Sequence, residues 1–94
     1  MEIVFDSVKN DLLSRTRGVT FPMVIESIAE RGVLVDFPHP NQSKYPAQRV
    51  LVVDIEGYAY CVPYALSGDN MHLMTIYPSR KFKHLIEGSH RGKV

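Results

Sequence analysis

Two helix-starting caps and two helix-ending glycines within the first 32 residues constrain this chain more than anything else in it. Asp6 is placed to accept hydrogen bonds from the open first-turn amides of a helix over about 7–16, and Gly18 to end that helix in the left-handed conformation. Thr20 then caps a second helix over about 21–31, with Pro22 in its first turn, where a missing amide hydrogen costs nothing, and Gly32 ends it. The 3.6-residue period predicts a buried face of Val8 and Leu12 with Leu13 beside them in the first helix. In the second it predicts Phe21, Val24, Ile25, Ile28 and Ala29.

Beyond Gly32 the pattern turns extended. Val33–Phe37 reads as a strand stopped by Pro38 and Pro40, and Pro38 to Gln48 as a surface loop. Arg49–Ile55 and Tyr58–Ala65, joined at Glu56-Gly57, form the clearest hairpin, and Ser67 to Asn70 turns into a third strand over about 71–77. Pro78 stops that strand. Ser79 can cap a last helix from about Arg80 to Glu87, ended by Gly88, while Glu2–Phe5 can form a short first strand and residues 89–94 a frayed tail. The expected fold is α+β: an antiparallel sheet of about four strands, two N-terminal helices on one face and a short C-terminal helix.

Ninety-four residues allow one core, so residues 1–94 read as a single domain. Eleven basic against ten acidic residues give a net charge of +1, too little for strong nonspecific attraction to nucleic acid. The charges are unevenly placed. Residues 50–79 hold three acids and no Lys or Arg, whereas residues 80–94 hold five Lys or Arg against Glu87 alone, so an anion-binding face is expected in the C-terminal part. The single cysteine, Cys61, cannot form an internal disulfide and sits in an apolar run, which suits a buried thiol in a reducing cytoplasm. No stretch approaches the roughly 20 apolar residues of a membrane span, and the start lacks a signal peptide's pattern, so the expected location is cytoplasmic.

The residues around the first turn carry a further resemblance. Phe5-Asp6-x-x-Lys9-Asn10, followed by Gly18-Val19-Thr20-Phe21, is similar in register to the W-D-x-x-K-N-x-x-N-x-x-K-H-G-[IV]-[ST]-F block that opens the BrnT family, ribonuclease toxins of type II toxin-antitoxin operons. Tyr77-Pro78-Ser79-Arg80-Lys81 resembles the family's I-S-A-R-K strand end, and Arg49 stands where the family has an Arg opening its first hairpin strand. The chain departs from the pattern at Phe5 for Trp, Leu13 for Asn, Thr16-Arg17 for Lys-His, and Thr75 for a basic residue. The resemblance implies a RelE-like fold, an RNA substrate, and a cognate antitoxin of the ribbon-helix-helix type. It implies DNA contact only through that antitoxin.

Chemistry concentrates near residue 80. Arg80 and Lys81 fall in the expected first turn of the last helix, where free amides already favour an anion, so Arg80 and Lys81 are the candidate phosphate binders. Metal-free RNA cleavage needs cations for the phosphorane charge and a proton acceptor and donor. Arg80 and Arg49 are the candidate charge stabilisers. Arg17, at the family's His position, can stabilise charge but cannot serve as a base. Tyr77 and His84 are the candidates for proton transfer, His84 also reading as an ordinary surface imidazole. The four histidines and one cysteine show no metal-ligand spacing, and neither a metal nor a cofactor is expected.

Alternation in the second hairpin strand puts Tyr58, Tyr60, Val62 and Tyr64 on one face and Ala59, Cys61, Pro63 and Ala65 on the other. The tyrosines either stack bases on an open sheet face or cover the core. The function expected from these readings together is a metal-independent endoribonuclease toxin neutralised by an antitoxin. A catalytically degenerate binder of the same fold is the rival, supported by Thr16, Arg17 and Thr75. A small domain dimerising through its Tyr-rich face is the third reading.

Overall fold

In the computed structural model, which describes residues 1–86, the chain is α+β. Its elements are β1 (Glu2–Phe5), α1 (Ser7–Arg17), α2 (Phe21–Arg31), β2 (Val35–Pro38), β3 (Gln48–Ile55), β4 (Tyr58–Ser67), β5 (Asn70–Leu73) and β6 (Tyr77–Pro78). A 3-10 turn at Arg80–Phe82 follows and runs into helix over 83–86. The expected helix end at Glu87 and Gly88 and the tail 89–94 lie outside the described residues.

The sheet has six strands rather than about four, and it is mixed. Its order is β1-β5-β4-β3-β2, with β6 also on β4. The hairpin β3–β4 and the pairs β2–β3 and β4–β5 are antiparallel, but β1 lies parallel to β5, Glu2 opposite Asn70 and Phe5 opposite Leu73. Among the described residues, no helix is long and apolar enough to cross a membrane.

The helix grammar of the first 32 residues is realised residue by residue. The Asp6 carboxylate accepts from the Val8 amide at 2.8 Å, and Thr20 Oγ1 accepts from the Met23 amide at 3.3 Å. Asn10 Oδ1 accepts from the Phe21 amide at 2.7 Å, so a side chain of α1 helps hold the start of α2. Gly18 sits at φ 69° and donates its N–H to the Ser14 carbonyl. Phe21, completely buried, packs its ring at a tilt against Phe5, centroids 5.1 Å apart, and joins α2 to β1.

Two expected helix faces are corrected. Leu13 alone is buried in α1, while Val8 is 75% and Leu12 44% exposed. The Asp6 cap fixes the phase of α1, and in that phase only one apolar residue of the helix points straight at the sheet. In α2 the exposed position is Ala29, and Ser27 is buried in its stead because its hydroxyl donates to the Asp54 carbonyl at 2.6 Å.

The continuous third strand expected over 71–77 is broken in two. Tyr64 pairs with Leu73 and Cys61 with Tyr77, so Val62 and Pro63 stand opposite three residues, 74–76, and one residue bulges. Pro63 supplies the reason. Its carbonyl accepts from the Met74 amide at 2.8 Å, but its ring nitrogen has no hydrogen to donate on that side. The ladder loses a rung there, and Ile76 turns fully into the core. Pro78 does not stop pairing, since it is itself paired with Tyr60 and occupies β6. Pro38 likewise ends β2 as a paired residue, at an edge where its missing donor costs little.

Two apolar layers result. The larger joins Phe21 and Val24 of α2 and Leu13 of α1 to Leu51, Val53, Val62, Tyr64, Leu73 and Ile76, with Tyr60 packed against it. The smaller, on the other face, joins Val50, Val52, Ala59 and Cys61 to Ile86 and Phe82 of the C-terminal helical segment. The tyrosine face is thus the one under the N-terminal helices, contrary to the open stacking surface weighed from alternation. Tyr64 is 3% exposed and covers core, whereas Tyr58 at the hairpin end is exposed.

At Gly18, a Cβ would meet no atom within 4 Å, so a substitution there acts through the backbone alone. Gly18→Ala should lower unfolding free energy by about 1 kcal/mol or more, measured by denaturant titration, because alanine resists positive φ. An unchanged midpoint would show that the α1–α2 turn does not depend on this conformation.

Candidate functional site

The hairpin end and the C-terminal helical segment enclose a cavity of about 350 Å³. Its apolar floor is Ala59 and Ile86, its rim includes Gly57 and the Ser79 hydroxyl, and its cations are Arg80 and Lys83. Each part follows from local structure. Glu56 and Gly57 both take positive φ, 54° and 80°, which is the two-residue turn that matches strand twist. The Asp54 carboxylate accepts from the Gly57 amide at 2.8 Å and fixes that turn. On the other wall, the Ser79 amide donates to the Ala59 carbonyl at 3.0 Å, which carries the chain past β6 and delivers Arg80 beside the hairpin end.

Lys83 rather than Lys81 shares the cavity with Arg80. In a 3-10 turn, residues three apart lie on the same side, so Arg80 and Lys83 point together and Lys81 points elsewhere. Lys81 Nζ lies over the Phe82 ring, 5.8 Å from its centroid. The sequence expectation placed adjacent residues in one role; the i, i+3 spacing of Arg80 and Lys83, which sets residues on one side of either kind of helix, is the signal that points to the pair. Ser79 makes no side-chain cap hydrogen bond. The described helical residues, 80–86, make about two turns, so the cavity's attraction for an anion rests on its side chains rather than on a helix dipole.

Arg49 and Arg17 lie apart from this cavity; Tyr77 and His84 are not among its lining residues but stand within two residues of Ser79 and Lys83, which are. Arg49 Nε donates to Asp36 Oδ1 at 3.0 Å, and the Tyr64 hydroxyl donates to Asp36 Oδ2 at 2.5 Å. Hydrogen bonding to Asp36 is the main reason Arg49 holds its proton even more tightly than usual. Arg49 pairs with Tyr64, whereas Ser79 bonds Ala59, five residues away along β4, so about 17 Å of strand separates the two arginines. They also project from opposite faces. Arg17 donates to the Ile76 carbonyl and ties the end of α1 to the bulge.

Tyr77 lies opposite the buried Cys61 in the ladder. Burial, with the neighbouring thiol, pushes the Tyr77 phenol upward, which suits a proton donor better than an acceptor. His84 is exposed on the segment that carries Lys83. Among the described residues, no group of three or more His, Cys, Asp or Glu is placed to hold a metal ion.

Comparison with protein families, with curated proteins and with solved structures finds no match for this chain.

Three protons in this region are held more tightly in the folded chain. Burial raises the Cys61 thiol, the Tyr64 phenol and the Tyr77 phenol. A raised pKa contributes stability that is whole below the group's unfolded value and is lost as pH climbs through the folded value. Unfolding free energy should therefore decline above about pH 8.5, where an ordinary thiol begins to ionise. Urea titrations from pH 7 to pH 10.5 measure it, and Tyr77→Phe should lessen the decline; stability that holds level or rises across that range would contradict these assignments.

Proposed function

We propose that this chain is an RNA-cutting toxin of the BrnT type, with a RelE-like fold, acting without a metal and silenced by a cognate antitoxin. The observation that carries the reading is the cavity in which Arg80 and Lys83 meet the Ser79 hydroxyl over an apolar floor. Two cations and a hydroxyl suit a phosphodiester, and the chain's near-neutral balance concentrates attraction for RNA at such a place.

In the proposed step, the ribose 2′-oxygen attacks the adjacent phosphorus as its proton passes to a base. The bond from phosphorus to the 5′-oxygen then breaks, and that oxygen takes up a proton. Arg80 stabilises the charge on the phosphorane, and Lys83 holds the phosphate. His84, exposed one residue from Lys83, is the base in this scheme, and Tyr77 is the donor. DNA is met through a ribbon-helix-helix antitoxin and not by this chain.

A second reading, a binder of the same fold that no longer cuts, is favoured by the engagement of Arg49 with Asp36 and of Arg17 with the Ile76 carbonyl. Arg80 and Lys83 are then the cations that line the cavity among the described residues. Expression without an antitoxin separates the two. The toxin arrests growth and leaves RNA fragments ending in 2′,3′-cyclic phosphate, at a rate unchanged by a chelator, and Arg80→Ala should lower cutting at least tenfold with the fold intact. Binding of RNA that stays whole identifies the second reading, and neither binding nor cutting refutes both.

A further inference from the structure

A second and larger cavity, about 580 Å³, opens where the parallel strands β1 and β5 end and α1 begins. Its apolar lining is Val4, Phe5, Leu73 and Met74, and three polar residues border it: Asp6, Lys9 and His72. Asp6 already accepts from the Val8 amide. Lys9 is half-buried, yet among the described residues it makes neither an ion pair nor a side-chain hydrogen bond. Met74, 37% exposed, leaves an apolar thioether at the mouth.

This lining differs in kind from that of the Arg80 cavity. One cation stands beside one carboxylate, so a phosphate gains little net charge there. Apolar walls with a donor and acceptors at the rim match the flat face and polar edge of a nucleobase. The position fits as well. Met74 bonds Pro63 and Ser79 bonds Ala59, so the two cavities border points four residues apart on β4, about 14 Å by the strand rise. Tyr77, exposed by 36%, lies on the stretch between them. At about 3.4 Å per phosphate of a stacked strand, that distance spans about four nucleotides, and fewer when the strand is extended.

We infer that the cavity formed by Lys9, His72 and Met74 is a base-recognition site for single-stranded RNA whose backbone is held at Arg80 and Lys83. The inference rests on the reading that this chain binds RNA. Lys9 donates to the edge of the base, Asp6 and His72 offer acceptors, and Phe5, Leu73 and Met74 enclose its faces. A paired base cannot enter, because its polar edge is already occupied, so duplex RNA is excluded.

The test is fluorescence anisotropy with an eight-nucleotide 2′-O-methyl RNA, which cannot be cut by attack of its own 2′-oxygen, and with an abasic strand of equal charge. The parent should bind the base-bearing strand at least tenfold more tightly than the abasic strand. In the doubly substituted Lys9→Ala, Met74→Ala protein, shown to be folded by circular dichroism, that preference should collapse while abasic binding and its salt dependence stay as in the parent. Equal loss for both strands, with the salt slope lower by about one contact, would make Lys9 a phosphate ligand and overturn the assignment. A parent that does not prefer the base-bearing strand overturns it too. If such a parent still cuts natural RNA, the base site alone falls; a parent that does prefer the base-bearing strand yet cuts nothing leaves the base site standing and the ribonuclease reading refuted. A parent that binds neither strand refutes both.

Discussion

The missing amide hydrogen of Pro63 governs the arrangement of the whole C-terminal half. β4 is the strand on which β3, β5 and β6 all register, and Pro63 lies in its interior, where it accepts from Met74 but cannot donate. The resulting extra residue reverses the side-chain alternation of the following segment. Without it, the residues after Met74 would keep the parity of β5, and Tyr77 and Ser79 would face the N-terminal helices. With it, Ile76 fills the core, Tyr77 sits opposite Cys61, and Ser79 and Arg80 arrive at the small-residue face. Arg17 then anchors the bulge from α1 through the Ile76 carbonyl.

Legibility in the sequence followed the range of the interactions concerned. The caps at Asp6, Gly18 and Thr20 and the turn at Glu56-Gly57 act over two to four residues, and each stands where the local pattern put it. The parallel β1–β5 pair joins segments far apart in the chain, and nothing in residues 2–5 announces its partner. The bulge is hidden for a related reason: Pro63 lies in β4, while its consequence appears on the strand beside it.

Of the two roles open to the tyrosine face, covering the core is the one realised at Tyr60 and Tyr64, while Ala59 and Cys61 on the other face receive Phe82 and Ile86, bulky residues that need shallow seats. The tyrosines meet α1 and α2, where Tyr64 can bury its ring because Asp36 receives its hydroxyl. At the candidate site, the basic C-terminal composition was visible in sequence. The partnership of Arg80 with Lys83 follows from their i, i+3 spacing, which both a 3-10 turn and an α-helix place on one side.

The parallel pairing of β1 with β5 also orders events in time. A chain emerging from the ribosome presents residues 2–5 long before residues 70–73 exist to receive them. Helices α1 and α2 and the β3–β4 hairpin close over short loops and form early, but this edge waits for nearly all the described chain to be made. Ile3, Val4 and Phe5 therefore wait longest for their strand partners during synthesis, and the rim of the Lys9 cavity is among the last parts of the fold to be completed.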